Sequence, residues 1–251
     1  VIAPRTSIAL LAASLLLTGC GSGAAAISDP RPEAAPTTST PAPSPPPSPA
    51  VSVQAAPRQL PGLGPETLAQ VPSATGQVVM ATGRGKNSSR STVVLYERAA
   101  GGWLAGEEWP AHNAYKGWTH HHRAGDLRSP VGVYDLTDAG GLLPDPGTRL
   151  PYDHGDGFTA TGTGFEGEEL AGAFDYVIAV NYNRQPGTSP LDWTRPLGAK
   201  RGGGIWLHVD HAGPTQGCVS IAREHMRELL QRLDPKQRPV VVMGDAESLA
   251  R

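Results

Sequence analysis

The sequence predicts a mainly β domain with one or two short helices, preceded by an unfolded Pro-rich linker. Three observations carry this. Of 251 residues, 31 are Gly and 25 are Pro. These are the two poorest residues in helix interiors, so a uniform helical bundle is excluded. The excess is also uneven, with 14 Pro before residue 73 and 11 among the other 179 residues. From about Ser73 onward, short β-branched and aromatic runs alternate with turns rich in Gly and Asn. A stretch of that length can bury most of its apolar surface without staples. No repeat at a fixed period runs through it.

The chain divides into three. Residues 1–19 read as an export signal: Arg5 precedes the apolar run Ile8–Leu17, which is too short to span a bilayer comfortably. The run ends Leu17-Thr18-Gly19-Cys20, which resembles the lipobox of bacterial lipoproteins. That resemblance implies a diacylglyceryl group on Cys20, and two acyl chains suffice for stable anchoring. Residues 20–72 read as a tether of Pro, Ala, Ser and Thr, extended and locally polyproline II around Pro45-Pro46-Pro47. Residues 73–247 are the expected globular domain. Its candidate strands are Gln77–Ala81, Thr92–Glu97, Trp103–Trp109, Val131–Asp135, Phe174–Tyr182, Gly204–Val209 and Pro239–Met243. Thr82–Asn87 separates the first two as a hairpin loop would. A helix after Ser220 follows from Met226, Leu229, Leu230 and Leu233 at i, i+3, i+4 and i+7, with Asp234-Pro235 ending it.

Charge narrows the function. With 21 basic and 23 acidic residues, the net charge is −2. There is no basic excess to displace counterions from a nucleic acid, so DNA and RNA are not expected partners. Cys20 and Cys218 are the only cysteines. An exported pair suggests a disulfide, but one ends an apolar leader and the other sits in a Gly-rich turn. They read as two separate functions.

The chemistry concentrates in Gly202–Ser220. A strand ends near His208, a tight Gly-Pro turn follows, and Thr215-Gln216-Gly217-Cys218 leads toward the helix. A cysteine ahead of a helix N-terminus would be biased toward thiolate by unpaired N–H groups and the dipole. A nearby histidine can take the thiol proton and return one to a leaving amine. Gly217 permits close backbone approach, so successive N–H groups can hold an oxyanion. Two histidines compete for the base. His208 follows the Ile-Trp-Leu run and ranks first. His211, three residues on, would face the opposite side of a continuing strand.

At these residues the chain resembles the YkuD-type L,D-transpeptidase catalytic domain, whose signature is a His, a loop, then Ser/Thr-x-Gly-Cys and an apolar residue. The matching positions are His208, Thr215, Gly217, Cys218 and Val219. Gly125–Tyr134 and Asp175–Asn183 resemble two further strand motifs of that family, so the likeness covers about residues 75–245. Gln216 stands where His is common, and Ser220 where Arg or Asn is usual. The resemblance implies a β-sandwich-like domain, acting as a monomer on donor and acceptor stem peptides of peptidoglycan. Cys218 would attack the third stem residue, His208 would be base and then acid, and the N–H groups of Gln216, Gly217 and Cys218 would form the oxyanion hole. Thr215, His211 and Ser220 would contact substrate. Such enzymes need no cofactor or metal, and carbapenems acylate their cysteine. With Cys20 lipidated, the enzyme would sit on the outer face of the cytoplasmic membrane, facing the wall.

Other readings remain open at this level. Water in place of the acceptor amine would make an L,D-carboxypeptidase, and loss of chemistry would leave a wall-binding lipoprotein. His120-His121-His122, with His112 nearby, suggests zinc, but three consecutive histidines do not converge on regular structure. An exposed loop is expected there. The five tryptophans, Trp103, Trp109, Trp118, Trp193 and Trp206, read mainly as core, with a glycan groove as the alternative. Gly155–Gly172 is long and Gly-rich enough for a lid.

Overall fold

The computed structural model describes residues 58–251; the expected leader, Cys20 and the tether up to residue 57 lie outside them. A short helix α1 (Pro65–Leu68) comes first. The meander β1 (Gln77–Gly83), β2 (Arg90–Ala99) and β3 (Gly102–His112) follows. Next come β4 (Trp118–Thr119) and β5 (Ser129–Pro130), a small parallel pair, and then the long strand β6 (Gly132–Gly141). The chain continues through β7 (Tyr152–His154), β8 (Val177–Val180), β9 (Trp206–Val209) and β10 (Val219–Ile221). It ends with α2 (Arg223–Arg232), β11 (Val240–Asp245) and α3 (Ala246–Leu249).

The main sheet has the order β11-β1-β2-β3-β10-β9-β8-β6-β7, and β6 also pairs with β11. That second pairing closes the sheet on itself, which removes the open edges of its longest strands. The mainly β architecture with few short helices is as the sequence indicates.

Two apolar clusters flank the closed sheet. In β1, Val79 and Ala81 point into the larger one while Val78 and Met80 point into the smaller. β11 divides the same way, Val241 and Met243 against Val240 and Val242. This is the two-fold alternation of a strand covered on both faces. Helix α2 supplies the larger cluster with Met226, Leu229 and Leu230, and Leu233 follows, all fully buried. The smaller cluster is covered by α3 and by Leu60, Leu63, Leu68 and Val71.

Those four residues alter the expected boundary of the tether at residue 72. Gly64 N–H donates to Leu249 O at 2.9 Å and Glu66 N–H to Arg251 O at 2.9 Å. The segment from residue 58 is therefore part of the domain. Its apolar residues are spaced to cover the outer face of β1 and β11, a need that local composition does not reveal.

A second difference bears on chemistry. The helix starts at Arg223, and β10 separates it from Cys218. Cys218 is thus the residue before a strand, not before a helix, and the dipole argument for a thiolate falls away. Among the described residues, no helix is long and apolar enough to cross a membrane.

Candidate active site

β9 and β10 run parallel and in register, Val219 beside Leu207 and Ser220 beside His208. Leu207, Val209, Val219 and Ile221 point into the core, so alternation turns Trp206 and His208 to the other face. There they line a cleft of about 910 Å³, together with Cys218, His211, Gln216, Gly217 and Thr215.

The backbone around Cys218 is tied down on both sides. Its carbonyl accepts from Thr215 Oγ1 at 2.7 Å and from Ser129 Oγ at 3.3 Å. Ser129 Oγ in turn accepts from Ala114 N–H at 3.0 Å. The sulfur lies 3.4 Å from Trp206 N, whose N–H donates to it, and 3.7 Å from the Gly204 carbonyl, which accepts a hydrogen bond from the thiol. Burial pushes the Cys218 thiol up to about 11, against a smaller opposing effect of the Trp206 N–H. The thiol is therefore neutral at rest, the opposite of the sequence expectation. The N–H groups of Gln216 and Gly217 donate to no protein acceptor among the described residues. Both residues line the cleft with Cys218, so these donors are left free for a ligand there.

His208 is 2% exposed. Its Nδ1 lies 2.9 Å from the Val209 carbonyl, which only accepts, so Nδ1 carries the hydrogen and Nε2 the lone pair. Burial pulls its pKa down to about 4, with the Val209 carbonyl opposing and His211 adding to the fall. Phe174 packs edge-on against both His208 and Trp206, at 5.4 and 5.0 Å between centroids.

His211 does not point away. Its ring stacks on His208 at 5.7 Å and 9°. β9 ends at Val209, and the turn through Ala212 (φ 66°) folds the chain back over the strand. His211 Nδ1 meets Glu168 Oε1 at 3.3 Å. Burial would raise the Glu168 pKa, but N–H donors at Glu168 and Glu166, and then His211, outweigh it and hold the carboxyl below the usual range. Glu168 enters from the long loop between β7 and β8, through a notch made by Gly164 and Gly213. A Cβ on either glycine would collide with its carboxylate. Glu168 Oε2 also accepts from Glu166 N–H at 2.7 Å. Glu168→Ala is expected to free this loop and raise hydrogen exchange at the Glu166 amide about tenfold or more, the loss of a charged hydrogen bond. Unchanged protection of that amide, measured by exchange NMR, would refute the latch.

The hydroxyls of two expected substrate contacts are committed to protein partners. Ser220 is fully buried and donates to Asp210 Oδ1 at 2.7 Å, and Asp210 also meets His112 Nδ1 at 2.9 Å. Ser220 therefore belongs to a separate polar cluster with Asp210 and His112 and does not line the cleft. Thr215 borders the cleft, but its hydroxyl is committed to the Cys218 carbonyl.

The histidine run also splits. His120 and His121 are exposed as expected, whereas His122 is buried, lies edge-on to Tyr182 at 5.3 Å and lines the cleft. Burial lowers its pKa, with Asp126, 3.0 Å from Nδ1, opposing. Trp103, Trp109 and Trp118 are core, Trp206 is half-buried in the cleft, and Trp193 stands at its rim, 79% exposed. Sequence reasoning missed His122, Glu168, Phe174 and Arg195. Ser129 lay within a quoted motif, yet nothing local showed that its hydroxyl reaches Cys218.

A closed β domain with a histidine on one strand and a cysteine just ahead of the strand paired to it, both lining one cleft, is a candidate for thiol acyl chemistry. Residues 75–242 match the profile of the YkuD family, the L,D-transpeptidase catalytic domain. The match covers well over half of the chain, which therefore belongs to this peptidoglycan-directed family. No curated protein matches the chain. Among solved structures, that of Bdellovibrio bacteriovorus Bd1075 is similar at 16% identity and a TM-score of 0.37. The likeness covers 67% of this chain and 48% of that one, so the chain spans about half the length of that protein.

Proposed function

We propose that this protein is a peptidoglycan L,D-transpeptidase that forms 3→3 cross-links through a thioester on Cys218. The observation that carries the reading is the pairing of β9 with β10. It holds a neutral thiol and a neutral imidazole, its Nε2 lone pair unprotonated, at the wall of one cleft. As Cys218 Sγ attacks the diaminopimelate carbonyl of a donor tetrapeptide, its proton passes to His208 Nε2. The oxyanion takes hydrogen bonds from the N–H groups of Gln216, Gly217 and Cys218. The C–N bond to D-alanine breaks, and Nε2 returns the proton to the leaving amine. An acceptor amine then attacks the thioester, loses its proton through Nε2 and restores the thiol. The Cys20 anchor and the tether belong to the same reading. They would hold the domain at the outer face of the membrane, within reach of its polymer.

Incubation of purified protein with tetrapeptide muropeptides tests this. Cross-linked dimers with D-alanine release are expected, and Cys218→Ala should form none. Tripeptides alone would identify a carboxypeptidase instead. Intact mass after exposure to a carbapenem should show one adduct on the wild type. No adduct, or an undiminished adduct in Cys218→Ala, would refute the cysteine assignment.

A further inference from the structure

Three consecutive glycines, Gly202, Gly203 and Gly204, precede β9 with φ of 70°, 141° and 68°. The space their side chains would occupy is filled by other residues. A Cβ on Gly202 would lie 2.7 Å from His122 Nε2, one on Gly203 would collide with Arg195 Nε, and one on Gly204 would lie 3.4 Å from a terminal Arg195 nitrogen. Gly204 also presents its carbonyl to Cys218 Sγ. The Arg195 guanidinium and the candidate nucleophile thus flank one and the same residue.

Arg195 is held but not neutralised. One terminal nitrogen donates to the carbonyls of Asp192 and Thr194 at 3.1 and 3.0 Å, and the guanidinium lies 4.9 Å over the Trp193 ring. Asp192 acts on it through space, but its carboxylate accepts from Thr194 N–H. Among the described residues, no carboxylate forms an ion pair with Arg195. No other arginine or lysine, and no aspartate or glutamate, lines the cleft. A cleft whose one guanidinium is free of any carboxylate, and is set across Gly204 from the sulfur, is arranged for an anion. The planar fork of Arg matches a carboxylate in particular.

We propose that Arg195 is a specificity-determining residue that binds a free carboxylate of the acyl donor, beside the carbonyl that Cys218 attacks. The inference rests on the thiol chemistry above and names what the donor must carry. In a stem peptide the carboxylate has two sources, the terminal D-alanine and the diaminopimelate side chain.

The first test does not depend on transpeptidation. Cys218 in the full chain is alkylated with iodoacetate and with iodoacetamide, which react at the same carbon and differ in charge. The thiolate fraction cancels in the ratio of the two rates. The ratio should exceed that of free cysteine in the wild type and fall about tenfold or more in Arg195→Gln, the loss of a charge-assisted hydrogen bond. Arg195→Lys should retain part of the preference. Lys200→Gln removes an exposed cation of the same loop and should leave the ratio unchanged. An equal ratio in wild type and Arg195→Gln overturns the proposal, whereas continued reaction with iodoacetamide shows that the variant keeps its cleft.

The second test compares donors amidated at the D-alanine carboxylate or at the diaminopimelate side chain. Amidation of the recognised group should lower wild-type kcat/KM about 10- to 100-fold and have little further effect in Arg195→Gln. Amidation of the other group should affect both proteins alike. Wild-type indifference to both amidations overturns the proposal. Absence of any turnover, with the alkylation preference intact, would instead count against the transpeptidase reading.

Discussion

His208→Gln is expected to slow acylation of Cys218 about 100- to 10,000-fold near neutral pH, the range that a positioned general base supplies. Its pH dependence separates this from a merely structural role. Burial sets the imidazole at about 4 and the thiol at about 11. The neutral pair therefore predominates between these values, and the wild-type acylation rate should form a broad plateau across that window. Below it Nε2 is protonated and cannot accept. Above it the thiol ionises without help, so wild type and His208→Gln should converge. Stopped-flow acylation by a carbapenem across pH measures both limbs. A limb near the ordinary histidine value of 6.5, or a deficit that persists above 11, would overturn the neutral-pair mechanism.

The same burial has a consequence for stability. The His208 pKa is lower in the folded protein than its ordinary 6.5, so the unfolded chain binds more protons between about 4 and 6.5. This contribution is complete above 6.5 and is lost as pH falls, by about 3 kcal/mol in all. Denaturant titrations of His208→Gln should lack that part of the slope.

Asp138→Ala is expected to destabilise the protein by about 3–5 kcal/mol, the range for removing one partner of a buried ion pair. Asp138 lies in β6 and Arg184 just beyond β8, both buried, with Oδ2 and the guanidinium 2.7 Å apart. Asp138 Oδ2 also accepts from Gly187 N–H at 2.9 Å and from Thr137 Oγ1 at 2.6 Å. The guanidinium reaches Asn181 Oδ1 and the Thr188 carbonyl, each at 2.7 Å. The pair clamps the start of the segment that carries Trp193 and Arg195. Its loss leaves Arg184 charged in a place that water does not reach. Changing both residues to apolar ones of similar volume should restore much of the stability. Urea unfolding measures this, and a loss below about 1 kcal/mol, the range of an exposed pair, would refute the clamp.

Much of the fold was legible because its signals are local. The Met226-Leu229-Leu230-Leu233 stripe and the Asp234-Pro235 stop give α2 its face and its end. The short β-type run Gln77–Ala81, set between glycine-bearing segments, gives β1, although only the structure shows that both faces are covered. The Cys218 motif and His208 were found because the glycines and the strand pattern lie beside them. On a continuing strand His211 would face away from His208, and the turn at Ala212 instead brings its ring onto His208. The thiolate expectation failed for a related reason: three residues of β10 stand between Cys218 and the helix.

By itself, then, the sequence determined a mainly β domain, its one substantial helix, and the cysteine and histidine offered for chemistry. These follow from periodicity and from turn residues a few positions away. The tertiary structure alone decided that the sheet closes through β6 and β11, that residues 58–72 join the domain, and that both thiol and imidazole are neutral. It also decided that His122 and Arg195 line the cleft and that Glu168 reaches His211 behind it. Those outcomes depend on burial and on contacts between segments far apart in the chain. Desolvation acts through whatever surrounds a group in space, and no local pattern specifies that.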